Sequence, residues 1–294
     1  MASMRDIKRR KSSIESTQQI TKALKLVSTV KLQRAKQRAE LSKNYFHAIY
    51  DTVTSILAKA DGIDHPYLKT GDKGKKAVIL ITSNKGLAGG YNSNMIKMVT
   101  RDPEFRKDDT IIYAIGKKGK DAMKRYGYEV MTDYSEAIEA PNYRDGIKVT
   151  NELLEAYEKG EIREIYLAYT NFKNTVSHVP TMLKLLPVEL GEKEADEEGE
   201  VAAEKEEPQA PMNFEPEDEE ALNLIIPKYV SSLVYGALIE AQASENGARM
   251  QAMDNATNNA AEMIDHLALM YNRARQGKIT TELTEIIAGA DAIS

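Results

Sequence analysis

The sequence predicts an α/β fold. Two long terminal helices coil antiparallel about each other, and a mostly parallel, helix-covered sheet is inserted between them. Three observations predict it. Residues Met4 to Ala60 contain neither proline nor glycine and are rich in good helix formers. The chain after Pro227 is free of proline and carries apolar or small residues at steps of three and four. Between these ends, β-rich runs alternate with helical ones, the pattern of a parallel sheet with crossover helices. The divisions that follow are an N-terminal coiled-coil helix (1–60), an α/β domain (75–190), an acidic flexible insertion (191–216) and a C-terminal coiled-coil helix (217–294).

The first helix shows a heptad seam through Leu32, Ala35, Ala39, Ser42, Phe46, Ile49, Val53 and Ile56, preceded out of phase by Ile20, Leu24 and Val27. Asp61, Gly62 and Pro66 then end it. In the middle, AVILITS (77–83), DTIIYAIG (109–116), YEVMTDY (128–134) and EIYLAYT (164–170) read as strands. Helical stretches fall at about 92–101, 117–126 and 145–159. HVPTMLKLLPV reads as a final antiparallel edge strand, which completes a Rossmann-like domain.

The last helix is read from Lys228 to Ile287, and at 1.5 Å per residue it would be about 90 Å long. Its seam is read first through Val230, Val234, Ala237, Ala241, Ser244 and Ala248. It continues through Met253, Ala256, Ala260, Met263, Leu267, Met270 and Ala274, and resumes at Ile279, Leu283 and Ile286. The phase slips fall near Gly247 and Gly277, where a helix is easiest to distort. Small residues on both seams imply a slim rod.

Charge is unevenly placed. Residues 1–50 hold twelve Lys/Arg against three acids, while residues 189–220 hold fifteen acids against two lysines. A basic helix could follow nucleic-acid phosphates. Its charges lie on several faces rather than one stripe and few aromatics accompany them, so nucleic-acid binding is not expected. The longest apolar run, AVILI at 77–81, is far shorter than the roughly 20 residues of a bilayer span, so no insertion into the membrane is expected. The first 30 residues have no signal-peptide stretch. The absence of cysteine excludes disulfides and thiolate metal sites.

Candidate chemistry is sparse. NKGLAGGYNSN after a strand resembles a phosphate-cradling loop but lacks the GxxxxGK[ST] and GxGxxG spacings, and reads as a tight strand-to-helix turn. His47, His65, His178 and His266 are scattered without metal-ligand spacing. No catalytic residue, cofactor or metal is expected.

Three blocks carry a resemblance: TQQITKALKLVSTVKLQRAKQRA, ITSNKGLAGGYNSN, and a terminal stretch containing YNRARQ, ITTELTEI and GADA. In this order they resemble the γ subunit family of bacterial-type F1Fo ATP synthase. The resemblance implies a non-catalytic central-stalk rotor that couples ion-driven c-ring rotation to ATP synthesis or hydrolysis at the β subunits. Its partners would be the F1 α and β subunits, the ε subunit and the membrane c ring. Its place would be peripheral, on the cytoplasmic side of the cell membrane. Carried onto this chain, the contacts to β and α fall on Arg273, Arg275, Gln276, Thr280, Glu282 and Glu285, with Lys22 and Leu24 beside them on the partner helix. Arg34, Lys36 and Arg38 would lie toward the foot and the c ring. Leu24 and Leu26 stand where the family usually has Met, and Gly247, Gly277 and Lys278 also depart from its pattern.

Overall fold

The structure is a computed structural model and describes residues 3–59, 65–69, 71, 73–188 and 218–291. The acidic insertion therefore lies outside the described residues, as do the side chains of Ser42, His47, Phe46 and Ile56. In chain order the elements are α1 (Met4–Lys59), a single 3-10 turn (Pro66–Leu68), β1 (Lys75–Ile81), α2 (Tyr91–Arg101), β2 (Thr110–Ile115), α3 (Lys117–Tyr126), β3 (Glu129–Asp133), α4 (Tyr143–Glu158), β4 (Ile162–Phe172), β5 (His178–Leu186) and α5 (Asp218–Asp291). The described residues form two compact units, one built from residues 1–31, 87–89 and 246–294, the other from 32–86 and 90–245.

The larger unit holds a five-stranded sheet of order β3-β2-β1-β4-β5. All neighbours are parallel except β4 and β5, which pair antiparallel. Every predicted strand and crossover helix is present. Alternate residues of each strand face opposite sides, as a period of two requires. Val78, Leu80, Ile112 and Ala114 meet Met95 and Val99 of α2 and Met123 of α3. Ala77, Ile79, Ile81, Ile165 and Leu167 meet Val149 and Leu153 of α4, and Leu222, Ile226, Val230, Val234 and Leu238 of α5. Val53 of α1 joins this second cluster. Each Val, Leu, Ile or Met side chain so buried contributes roughly 1.5 to 3 kcal/mol.

Helices α4 and α5 approach closely because residue 146 is glycine: a Cβ there would lie 2.8 Å from the Ser231 carbonyl oxygen. At the start of α4, Asn142 accepts from the Asp145 amide while the Asp145 carboxylate accepts from the Asn142 amide, a complete capping box. The chain entering β1 is bolted down by aromatic hydroxyls. Tyr157 donates to the carbonyls of Pro66 and Lys69, and Tyr67 donates to Glu158.

Helix α5 begins at Asp218, ten residues before the stretch from Lys228 whose length is read from the sequence, and carries Pro227 inside it. Proline has no amide to donate, so it costs the helix one bond. Burial of Leu222 and Ile226 against the sheet keeps the preceding turns helical. Within Leu222–Gly289 an 18-residue window reaches a mean hydropathy of 1.4, apolar enough for a membrane span by composition, but half of that window is buried within the protein.

In the smaller unit, α1 and α5 run antiparallel. Thr21 meets Thr257, and one turn further along α1, Lys25 meets Asp254, one turn earlier on α5. Ser3 begins α1, its side chain and carbonyl both accepting from the Asp6 amide.

Candidate coupling site

The face of α1 turned to its partner differs from the predicted one. Ile20 and Val27 are 58% and 53% exposed, whereas Thr21 and Ser28 are buried. Positions 7, 11, 14, 18, 21, 25, 28, 32, 35 and 39 are buried or half-buried, in an unbroken four-three alternation without the predicted phase slip; Leu24 of the predicted seam is half-buried beside them, as are Met4 and Lys36. Apart from Lys11, its ends are apolar or small, through Ile7, Ile14, Leu32, Ala35 and Ala39, while its middle is Gln18, Thr21, Lys25 and Ser28.

The facing stretch of α5 buries Asn246, Met253, Ala260 and Leu267, with Met250, Thr257, Ile264 and Tyr271 half-buried between them. Met253, Ala260, Leu267 and Ala274 were read correctly. Met263 and Met270 are instead 54% and 38% exposed. A heptad can be divided as three-four or four-three about the same every-seventh residue, and the sequence of one helix does not choose between them. The two methionines stand at the lip of a groove of about 960 Å³ floored by Ile7, Ile14 and Leu267.

The polar middle is hydrogen-bonded across the pair. The Thr21 and Thr257 hydroxyls lie 2.8 Å apart, Gln18 Nε2 donates to the Thr257 carbonyl at 3.4 Å, and Lys25 Nζ reaches Asp254 Oδ1 at 2.6 Å. A satisfied polar layer specifies register where apolar contacts alone would allow sliding.

The register also locates the sequence-predicted contacts. Carried to the start of α1, it sets Met4 opposite about Ala274, so among the described residues α5 from Arg275 onward meets no part of α1. Arg273, Arg275, Gln276, Thr280, Glu282 and Glu285 are all exposed on this projecting helix. Ile279, Leu283 and Ile286 do not resume a seam: they are 48%, 54% and 68% exposed, because no helix is left to cover them. Lys22 and Leu24 do not lie beside Arg275 and Gln276. They stand at the level of Asp254 and Thr257, which their neighbours Lys25 and Thr21 meet, about 20 residues and roughly 30 Å of helix away, and Lys22 is exposed there. In the other unit, Arg34 and Arg38 are exposed, and Lys36 Nζ sits 5.1 Å from the Phe172 ring centroid in a cation–π contact.

The loop after β1 is tied to the start of α3, whose first amides it takes. Asn84 Oδ1 accepts from Lys117 N, the Ser83 carbonyl from Lys118 N, and Thr82 Oγ1 from Gly119 N, which uses the first donors of α3. Asn92 Oδ1 accepts from Ser83 N. Gly116 permits this closeness, with φ at 110° and a hypothetical Cβ only 2.1 Å from the Thr82 carbonyl oxygen.

Beside this loop, α5 crosses the C-terminal ends of the parallel strands. Tyr91 Oη donates to the Ala241 carbonyl, Gln242 Nε2 to the carbonyls of Ile138 and Glu139, and Ser244 Oγ to the Thr170 carbonyl. Open α/β sheets usually hold a ligand at these strand ends. Here the chain's own helix stands there. No pattern in the sequence marked these residues, since each partner is about 75 to 150 positions away.

At the opposite ends of the strands lies a charged network. Lys76 Nζ meets Glu104 and Glu164 at 2.6 and 3.2 Å, and Glu164 also meets Lys184 at 3.4 Å. The hydrogen bond from Lys76, aided by one from Tyr166, holds the Glu104 carboxyl below the usual carboxylate range. Arg163 does the same to Asp109 through a paired guanidinium contact. Burial works to lower the Lys76 pKa, but the bonds to Glu104 and Glu164 reverse this and raise it.

Three histidines fall within the described side chains, and they are well apart in role. His65 is buried between Asn223 and the Tyr67 amide, His178 stacks on Phe172 with its pKa lowered by burial, and His266 is exposed beside the groove. Among the described residues no group of three or more His, Asp or Glu is placed to hold a metal ion.

A family model described as ATP synthase matches residues 3–293. An ATP synthase gamma chain of Lachnoclostridium phytofermentans is 61% identical over 294 residues, with all of both chains covered. One of Acetobacterium woodii, described as sodium ion specific, is 39% identical over 99% of each chain. Among solved structures, a chain of the Euglena gracilis mitochondrial ATP synthase (OSCP/F1/c-ring, rotational state 3) aligns at a TM-score of 0.66 and 18% identity, covering 99% of this chain and 94% of that one. A chain from the central stalk and c ring of the Tetrahymena thermophila enzyme aligns at 0.56 and 23% identity, covering 81% and 99%.

Proposed function

The chain belongs to the ATP synthase gamma-chain family, and from that premise we propose that it is the central-stalk rotor of an F1Fo ATP synthase. In this reading the helix pair is a coiled-coil axle, and the α/β domain takes up torque from the membrane c ring and binds ε. The F1 α and β subunits surround the projecting end of α5. The protein acts at the cytoplasmic side of the cell membrane as a peripheral, non-catalytic part of F1.

The observation that carries this reading is the unpartnered end of α5. From Arg275 to Gly289 every residue is exposed, and Ile279, Leu283, Ile286 and Ile287 among them are large and apolar. A helix with its apolar and charged residues displayed together is suited to turn within a sleeve of partner subunits. Arg275, Gln276, Thr280, Glu282 and Glu285 are the polar groups that such a sleeve would meet. Lys22 and Leu24 meet it lower on the axle, not at the same level. Arg34 and Arg38 remain available toward the foot, and Lys36 is held by Phe172.

As the axle turns, each β subunit meets a different face of it, and binding sites open and close in sequence. No group of this chain takes part in phosphoryl transfer.

Reconstitution tests the proposal. The chain added to α and β subunits should co-elute with them as one complex, and with the membrane sector should support ATP-driven ion pumping. A salt-dependent complex with DNA and no association with those subunits would overturn it.

A further inference from the structure

We propose that Tyr91, Gln242 and Ser244 form a torque clamp that fixes the rotation of α5 about its own axis in the α/β domain. The inference rests on the rotor reading above.

Apolar packing holds a helix against a sheet but is non-directional, so it resists separation better than turning. Hydrogen bonds weaken steeply when misaligned. Helix α5 has the first kind of contact from Leu222 to Ala241. The second kind occurs at Asn223 with His65, at Ser232 with Tyr143, and as a group in a single turn, residues 241–244, just before Glu245 ends its run through this unit. The bonds there come from three separate elements. Tyr91, at the start of α2, reaches the Ala241 carbonyl at 3.2 Å. Gln242 reaches the Glu139 carbonyl at 3.0 Å and that of Ile138 at 3.3 Å, in the segment after β3. Ser244 reaches the Thr170 carbonyl of β4 at 3.0 Å.

Four bonds to three separate elements fix an angle, which one bond would not. Tyr91 is 5% exposed and Ser244 fully buried, so water does not readily replace either bond. The strand ends that hold a ligand in other open α/β sheets are thus used here to grip a shaft. Tyr91, Gln242 and Ser244 are positioning residues, and the reacting phosphates are handled elsewhere.

The test is the triple variant Tyr91→Phe, Gln242→Met, Ser244→Ala in the full chain, assembled in the complete membrane enzyme. Loss of each bond favours misoriented helix about fivefold. Ions pumped per ATP hydrolysed should fall at least about twofold in inverted vesicles. Hydrolysis by the detached F1, which sends no torque through the domain, should stay near wild type. Reverting position 244 from Ala to the wild-type Ser in this background, or placing Thr there, should recover part of the ratio by restoring a hydroxyl. An unchanged ratio, or a parallel fall in pumping and detached hydrolysis, would overturn the clamp. If the triple variant does not assemble, Tyr91→Phe carries the same test, since it keeps the buried ring. Failure of the wild-type chain to support pumping would instead count against the rotor reading.

Discussion

Thr21 and Thr257 face each other across the helix pair with their hydroxyls 2.8 Å apart, in the middle of a seam whose ends are apolar. The pair sets the register from which the positions of all the other axle residues follow. A double-mutant cycle with Thr21→Val and Thr257→Val should give a coupling of about 0.5 to 1.5 kcal/mol. It is read from hydrogen exchange of the amides on either side. A coupling of zero would mean that the two hydroxyls do not meet in solution.

The neighbouring ion pair is worth less. Lys25 and Asp254 have side chains 39% and 45% exposed, so Asp254→Ala should cost no more than about 1 kcal/mol. The swapped double variant Lys25→Asp, Asp254→Lys should regain most of that loss, and added salt should reduce the difference between all three proteins.

Two glycines should respond oppositely to the same change. Gly146→Ala drives a methyl against the Ser231 carbonyl and should destabilise the domain by about 1 to 3 kcal/mol. Gly277 has nothing within 4 Å of its would-be Cβ. Gly277→Ala should therefore make the projecting helix more stable, by up to about 1 kcal/mol, seen as slower local exchange.

Acid should loosen the α/β domain through Glu104 and Asp109. Both carboxyls have folded pKa values depressed below the ordinary ones by their cationic partners. Their contribution is fully present above the ordinary carboxylate range and is lost as pH falls through the folded values. Glu104→Gln with Asp109→Asn should flatten the acid limb of a stability–pH curve and leave its neutral plateau slightly lower. An acid limb unchanged in the double variant would assign it to other groups.

Coupling at the projecting helix should be shared. Moving a two-state site from 1:99 to 99:1 takes about 5.5 kcal/mol, and one exposed ion pair supplies about 0.2 to 1 kcal/mol. Arg275→Ala or Gln276→Ala should each slow the coupled reaction by no more than about fivefold without stopping rotation. Complete loss of hydrolysis in a correctly assembled Arg275→Ala complex would count against distributed contact.

Legibility in the sequence followed the range of the interaction. The sheet strands were readable because AVILI, TIIYAI and EIYLAYT are continuous β-branched and aromatic runs, the mark of strands covered on both faces. The helical stretches at about 117–126 and 145–159 are equally local, and the structure ends the first at Gly127 and caps the second at Asn142. The seam of α1 was misread between Ile20 and Val27 because apolar residues were followed, while the partner helix offers Asp254 and Thr257 at that level and so draws Lys25 and Thr21 inward. The exposed Ile20, Val27 and Val30 form a second apolar stripe on the same helix. Two stripes on one helix compete, and only the facing helix selects between them.

By itself the sequence determined the kinds of element and their order, since periods of two and near 3.5 are properties of neighbouring residues. It also determined the family and the lack of any recognisable catalytic motif, since both are written in short blocks. Only the tertiary structure decided which heptad phase of α5 is covered, where α1 ends against it, and which residue stands opposite Lys22. It alone brought Tyr91, Gln242 and Ser244 to bonds with backbone carbonyls remote in the chain. Those outcomes depend on groups far apart in sequence and close in space, and the energy that chooses among them arises only when the second surface is in place.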